Sequence, residues 1–89
     1  MFTGIIQASG IFRGFRENGR EMIVESPEAA GRIGPGQSLA VDGVCLTLVR
    51  KEGPRLFFNA ARETLERTNF SLRRPGGTVH LEYPLALAD

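Results

Sequence analysis

The stretch SLAVDGVCLTL, residues 38–48, limits the folds open to this chain more than any other feature. Asp42-Gly43 between two alternating runs is the signature of a two-residue β-hairpin, because a type I′ turn needs positive φ at both central positions. Such a turn fixes the register: Val41 faces Val44, Ala40 faces Cys45, Leu39 faces Leu46 and Ser38 faces Thr47. Opposed residues share a face and side chains alternate with period two, so Leu39, Val41, Val44, Leu46 and Leu48 are predicted to form one core-facing side. The other side carries Ser38, Ala40, Cys45 and Thr47. Two hydroxyls and a thiol around one small residue are too polar for a core and carry no charge to suit open solvent.

Two readings of that face stand side by side. It is either a half-exposed strand pair with ordinary small polar residues, or a binding surface. In the second reading Ala40 leaves room for a flat ligand, Ser38 and Thr47 donate and accept hydrogen bonds, and Cys45 is a polarizable contact or weak nucleophile. No His or Lys lies close to Cys45 in sequence, so nothing in the pattern marks a reactive thiolate.

The rest of the chain repeats the hairpin's grammar. Turn signals fall at Glu17-Asn18-Gly19, Gly34-Pro35-Gly36, Gly53-Pro54 and Pro75-Gly76-Gly77, with short β-rich runs between them. Strands are predicted at 4–15, 20–25, 37–41, 44–51, 55–59 and 78–83. SPEAAGRI reads as one capped turn with Pro27 at its first position, and RETLERTNF as a short helix in which Glu63 and Arg67 stand four apart. No internal repeat or low-complexity linker is visible. Six strands on 89 residues leave exposed edges, and closing them into a barrel removes the edges. The predicted fold class is therefore all-β: a closed six-stranded barrel with one or two short helices, a single domain over residues 1–89.

Charge and composition narrow the function classes. Eleven Lys and Arg against ten Asp and Glu give a net charge of +1, with the signs interspersed. Long-range attraction to nucleic acid or anionic lipid is not expected. The apolar runs are far shorter than the ~20 residues that span a bilayer, so no membrane association is expected. MFTGII lacks the charged start and longer apolar stretch of a secretory leader and is expected to belong to the fold. Cys45 is the only cysteine, which leaves no internal disulfide and makes the cytoplasm the expected compartment.

Isolated residues carry less. His80 alternates with Val79, Leu81 and Tyr83 and is expected to face solvent on the side of Thr78 and Glu82; a lone histidine without Cys or carboxylate spacing is no metal site. Arg73 and Arg74 precede a turn and are expected to solubilise a loop. The six phenylalanines are scattered, and Phe57 and Phe58 point to opposite faces of one strand. A single-strand-binding barrel needs aromatics along one face within a positive groove, and neither is present. Gly4 sits in a β-branched run, where a glycine marks a bulge or the close approach of a ligand or backbone.

MFTGII at the start, GQSLAVDGVCLTL in the middle and ARETLERTNF followed by VHLEYPL resemble the N-terminal lumazine-binding repeat of riboflavin synthase, nearly end to end. The resemblance implies a Greek-key barrel. It also implies that a second, similar barrel, opening on a Gly-Gly-His stretch, would follow where this sequence ends at Asp89, so that the chain corresponds to half of the enzyme. The activity implied is transfer of a four-carbon unit between two molecules of 6,7-dimethyl-8-ribityllumazine, giving riboflavin and a pyrimidinedione without metal or separate cofactor. Stacking two flat rings in register supplies much of such a rate enhancement.

Carried over residue by residue, the resemblance implies three substrate-binding segments: Gly4, Ile5 and Ile6; Cys45, Leu46 and Thr47; and Asn59, Ala60, Ala61, Arg62, Glu63 and Thr64. It assigns catalytic roles to Ser38 and Cys45 in activating C7, and to Phe2. Ala60 and Ala61 stand where relatives carry larger side chains. The implied assemblies are a homotrimer for the full-length enzyme and a homodimer for the isolated domain, which is expected to bind with little turnover. The alternative is a lumazine- or flavin-binding module without chemistry. Ser38 and Cys45 favour the enzyme, and the missing half favours binding alone.

Overall fold

The computed structural model describes residues 7–16, 19–59 and 74–84. The short helix predicted within RETLERTNF lies outside them. The described strands are β1 (Ala8–Arg16), β2 (Glu21–Glu25), β3 (Ser38–Val41), β4 (Val44–Glu52), β5 (Arg55–Asn59) and β6 (Thr78–Glu82), with one short helix, α1 (Pro27–Ala30), between β2 and β3. They close into a barrel in the order β1-β2-β5-β4-β3-β6, antiparallel throughout. β3, β4 and β5 form a meander and β6 returns by a longer connection to lie beside β3, which is the Greek-key arrangement. The predicted strands are all present, with several ends moved by one residue. The first begins at Ala8 among the described residues, and Gln7 just before it donates its N–H to the Leu81 carbonyl at 2.9 Å.

The hairpin is as its sequence requires. Asp42 and Gly43 both have positive φ, 48° and 84°, and the pairs Ser38–Thr47, Leu39–Leu46, Ala40–Cys45 and Val41–Val44 are those of a two-residue turn. The turn is also tied to β6: the Asp42 N–H donates to the His80 carbonyl at 2.8 Å, and the His80 N–H donates to Asp42 Oδ1 at 2.6 Å. Asp42 thus joins two strands that sequence separates by 38 residues.

Two long strands bend to let the barrel close. β1 and β4 have nine residues each, with register shifts at Phe12/Gly14 and Leu48/Arg50. Gly14 takes the left-handed conformation (φ 94°) that such a bulge needs. Inward-facing Phe12, Met22, Val24, Leu39, Leu46, Leu48, Leu56, Phe58, Val79 and Leu81 fill the interior. Each large side chain removed from water contributes about 1.5–3 kcal/mol.

Helix α1 packs against β5 and the core. Ser26 Oγ accepts from the Ala29 N–H at 3.2 Å and Pro27 opens the first turn, as the sequence predicts. Ala29 and Ile33 enter the core. Lys51 Nζ donates to the Ala30 carbonyl at 2.8 Å, satisfying an acceptor that a four-residue helix leaves open.

Candidate functional site

The outer wall of β3 and β4 is the face the hairpin pattern singles out. Ser38 is half-buried, Cys45 and Thr47 are exposed, and Ala40 between them is only 4% exposed. Pairing continues the row in both directions. Thr47 is opposite Asn59 on β5, and Asn59 is opposite Glu21 on β2. Ser38, Thr47, Asn59 and Glu21 therefore stand side by side across four strands, about 14 Å from end to end at ordinary strand spacing. Among the described residues the Ser38, Thr47 and Asn59 side chains make no hydrogen bond to one another or to a neighbour. A second row runs Cys45–Ala40–Glu82 over β4, β3 and β6.

The structure thus brings together Ser38, Cys45, Thr47 and Asn59 of the residues named from sequence. Leu46 lies in the same segment but points into the barrel and is buried there, so its contribution to the outer face is limited to its peptide groups. Phe2, Gly4, Ile5, Ile6, Ala60, Ala61, Arg62, Glu63 and Thr64 lie outside the described residues. His80 is exposed, as expected for its alternation. Glu82, two residues on along the same outward side, differs from that expectation: it is 8% exposed. Alternation reports which way a side chain points, and says nothing about what folds over it.

Beyond Asn59 the wall changes character. Phe57 points outward, opposite in sense to the core residue Phe58, yet it is only 2% exposed. The Arg50 guanidinium lies 4.0 Å from its ring centroid and that of Arg16 lies 5.6 Å away, a cation–π cover that lets an aromatic ring sit on an outer face. Arg50 is forked between Glu21 Oε2 at 2.7 Å and Glu52 Oε2 at 2.9 Å. These carboxylates, Glu52 first, raise its pKa further above the ordinary value. Farther along, Glu25 accepts from Arg13 at 3.2 Å and from Arg55 at 3.4 Å. Its pKa is lowered chiefly by the Arg13 hydrogen bond.

Sequence reasoning missed Glu21. It is one of ten acidic residues in a chain whose signs are interspersed, and only the β2–β5 pairing puts it next to Asn59. No group of three or more His, Cys, Asp or Glu among the described residues is placed to hold a metal ion. No helix among them is long and apolar enough to cross a membrane. The uncharged parts of the two rows instead offer hydroxyl and amide groups around a small residue, the equipment for holding the polar edge of a flat ring by hydrogen bonds.

Comparisons with known proteins agree with this architecture. The lumazine binding domain matches residues 3–84. The riboflavin synthase of Chlamydia pneumoniae is 37% identical over the whole chain, which covers 46% of that protein. That of Mycobacterium bovis is 38% identical, again with the whole chain matched and 46% of the relative covered. The chain therefore spans about half the length of these curated relatives. Among solved structures, LumP complexed with riboflavin superposes with a TM-score of 0.85 at 26% identity, covering all of this chain and 50% of that one. LumP complexed with 6,7-dimethyl-8-(1'-D-ribityl) lumazine gives 0.80 at 28% identity, covering 94% and 48%. With the family match running over nearly the whole barrel, this chain belongs to the lumazine-binding domain family.

Proposed function

We propose that this barrel is the N-terminal lumazine-binding domain of a riboflavin synthase, and that it binds 6,7-dimethyl-8-ribityllumazine or riboflavin on the outer wall of β3, β4 and β5. The observation that carries the reading is the uncharged row Ser38–Thr47–Asn59, whose polar side chains have no partner among the described residues, beside the small Ala40. It coincides with two of the three segments that the sequence resemblance assigns to substrate.

In this reading the ring edge is held by Thr47, Asn59 and backbone groups of Cys45 and Leu46, with Gly4, Ile5, Ile6, Ala60, Ala61, Arg62, Glu63 and Thr64 completing the cleft. Ser38 and Cys45 sit where an activating nucleophile is delivered to C7 of a bound lumazine, and Phe2 borders the reacting ring. The reaction needs two lumazines stacked face to face, so a barrel that holds one of them supplies half the chemistry. No metal or separate cofactor takes part. The parent enzyme is a cytoplasmic homotrimer, and the isolated domain pairs with a second copy of itself.

Fluorescence titration with riboflavin tests the binding. Saturation in the micromolar range or tighter, about −8 kcal/mol or better, is expected. The absence of any saturable change defeats the reading. A second reading, a binding module without chemistry, is favoured by the LumP complexes among the structural neighbours. Incubation with the lumazine separates the two: riboflavin formation restored by adding a C-terminal barrel belongs to an enzyme half, and none belongs to a pure binder.

A further inference from the structure

Glu21 ends the row Ser38–Thr47–Asn59–Glu21 and belongs to none of the segments assigned above. Its two oxygens are in different situations. Oε2 is held by Arg50 at 2.7 Å. Oε1 is buried and has no hydrogen-bond partner. A buried acceptor without a partner is costly, and the cost is larger for a carboxylate than for a neutral group. Arg50 leaves it in place: the guanidinium is already shared between Glu21 and Glu52 and is stacked on Phe57.

We propose that Glu21 is a ligand-binding residue, and that Oε1 accepts a hydrogen bond from a hydroxyl of a polyhydroxylated chain carried by the ring. This rests on the reading of the row as a lumazine or flavin site. The ring lies over the uncharged part of the row, where Ala40 and Thr47 leave space, and its tail points across β5 toward β2. A carboxylate recognises a hydroxyl donor and repels the carbonyl edge of the heterocycle, so it fits the tail end of the ligand and not the ring end. The Glu21 side chain is 14% exposed, beside an arginine side chain that is 36% exposed.

The test compares riboflavin with lumiflavin, which has the same ring and a methyl group in place of the ribityl chain. Glu21→Ala is expected to weaken riboflavin by about tenfold and to change lumiflavin by less than about twofold. Arg50→Met, which breaks the ion pair and keeps the carboxylate, is expected to preserve the preference for riboflavin over lumiflavin. Should Glu21→Ala fail to fold, Glu21→Gln carries the same comparison, with a smaller loss again confined to riboflavin. Equal losses for both ligands, or none for either, overturn the proposal while wild-type binding leaves the site intact. Failure of the wild-type protein to bind riboflavin at all overturns the underlying reading, and this proposal with it.

Discussion

Two stretches of the same barrel wall face outward and differ sharply. On β1, β2 and β5, with the far end of β4, arginine and glutamate alternate: Arg13 and Arg55 flank Glu25, and Arg50 bridges Glu21 and Glu52 above Phe57. On β3 and the near end of β4 stand Ser38, Ala40, Cys45 and Thr47 without a charge among them. The first stretch satisfies itself, since nearly every charged group already has a partner within the chain. The second has polar groups whose partners must come from elsewhere. A wall that closes its own electrostatics is suited to water, and one that leaves hydroxyls open around an alanine is suited to a ligand. Glu21 is the seam, with one oxygen in the charged lattice and the other unpartnered.

The comparison breaks most severely if the hairpin faces are misassigned. Leu46→Ala removes a buried side chain from the barrel interior and is expected to cost about 2–5 kcal/mol in chemical denaturation, with ligand affinity per folded molecule unchanged. Thr47→Val, one residue on and on the opposite face, is expected to leave stability alone and to weaken riboflavin or lumazine by about 1–3 kcal/mol in a fluorescence titration. A stable Leu46→Ala protein together with an unfolded Thr47→Val protein would place the register one residue off.

The charged stretch predicts the smallest effect. Arg13 holds the Glu25 carboxyl below its ordinary pKa, so their pairing contributes stability that is fully present above the ordinary carboxylate range and lost as pH falls through the depressed value. Arg13→Gln is expected to be slightly less stable than the parent at neutral pH and indistinguishable from it in strong acid. Thermal melts of both proteins across that range check the sign. The neutral-pH difference should also shrink in high salt, because the pair is solvent-exposed. Neither change should touch riboflavin binding, and a loss of affinity in Arg13→Gln would extend the site onto the charged wall.

The hairpin and its two faces are set locally. Asp42-Gly43 is a local signal: the turn conformation depends on two residues, and the phase of every side chain from Ser38 to Leu48 follows from period two. The capped turn at Ser26-Pro27 was legible for the same reason, as was the opposite sense of Phe57 and Phe58. What lies beside these residues is set by how the strands close the barrel. The pairing of β5 with β2, across a sequence separation of 38 residues, sets Asn59 beside Glu21, and the bulge at Leu48/Arg50 shifts the Gly53-Pro54 hairpin by one so that Asn59 meets Thr47. Insertion of β6 between β1 and β3 sets Glu82 beside Ala40, and stacking by Arg16 and Arg50 buries an outward-facing Phe57. Alternation fixes direction along a strand, because it is a property of one backbone; adjacency across a barrel depends on which strands close it, and that is settled by the packing of the whole chain.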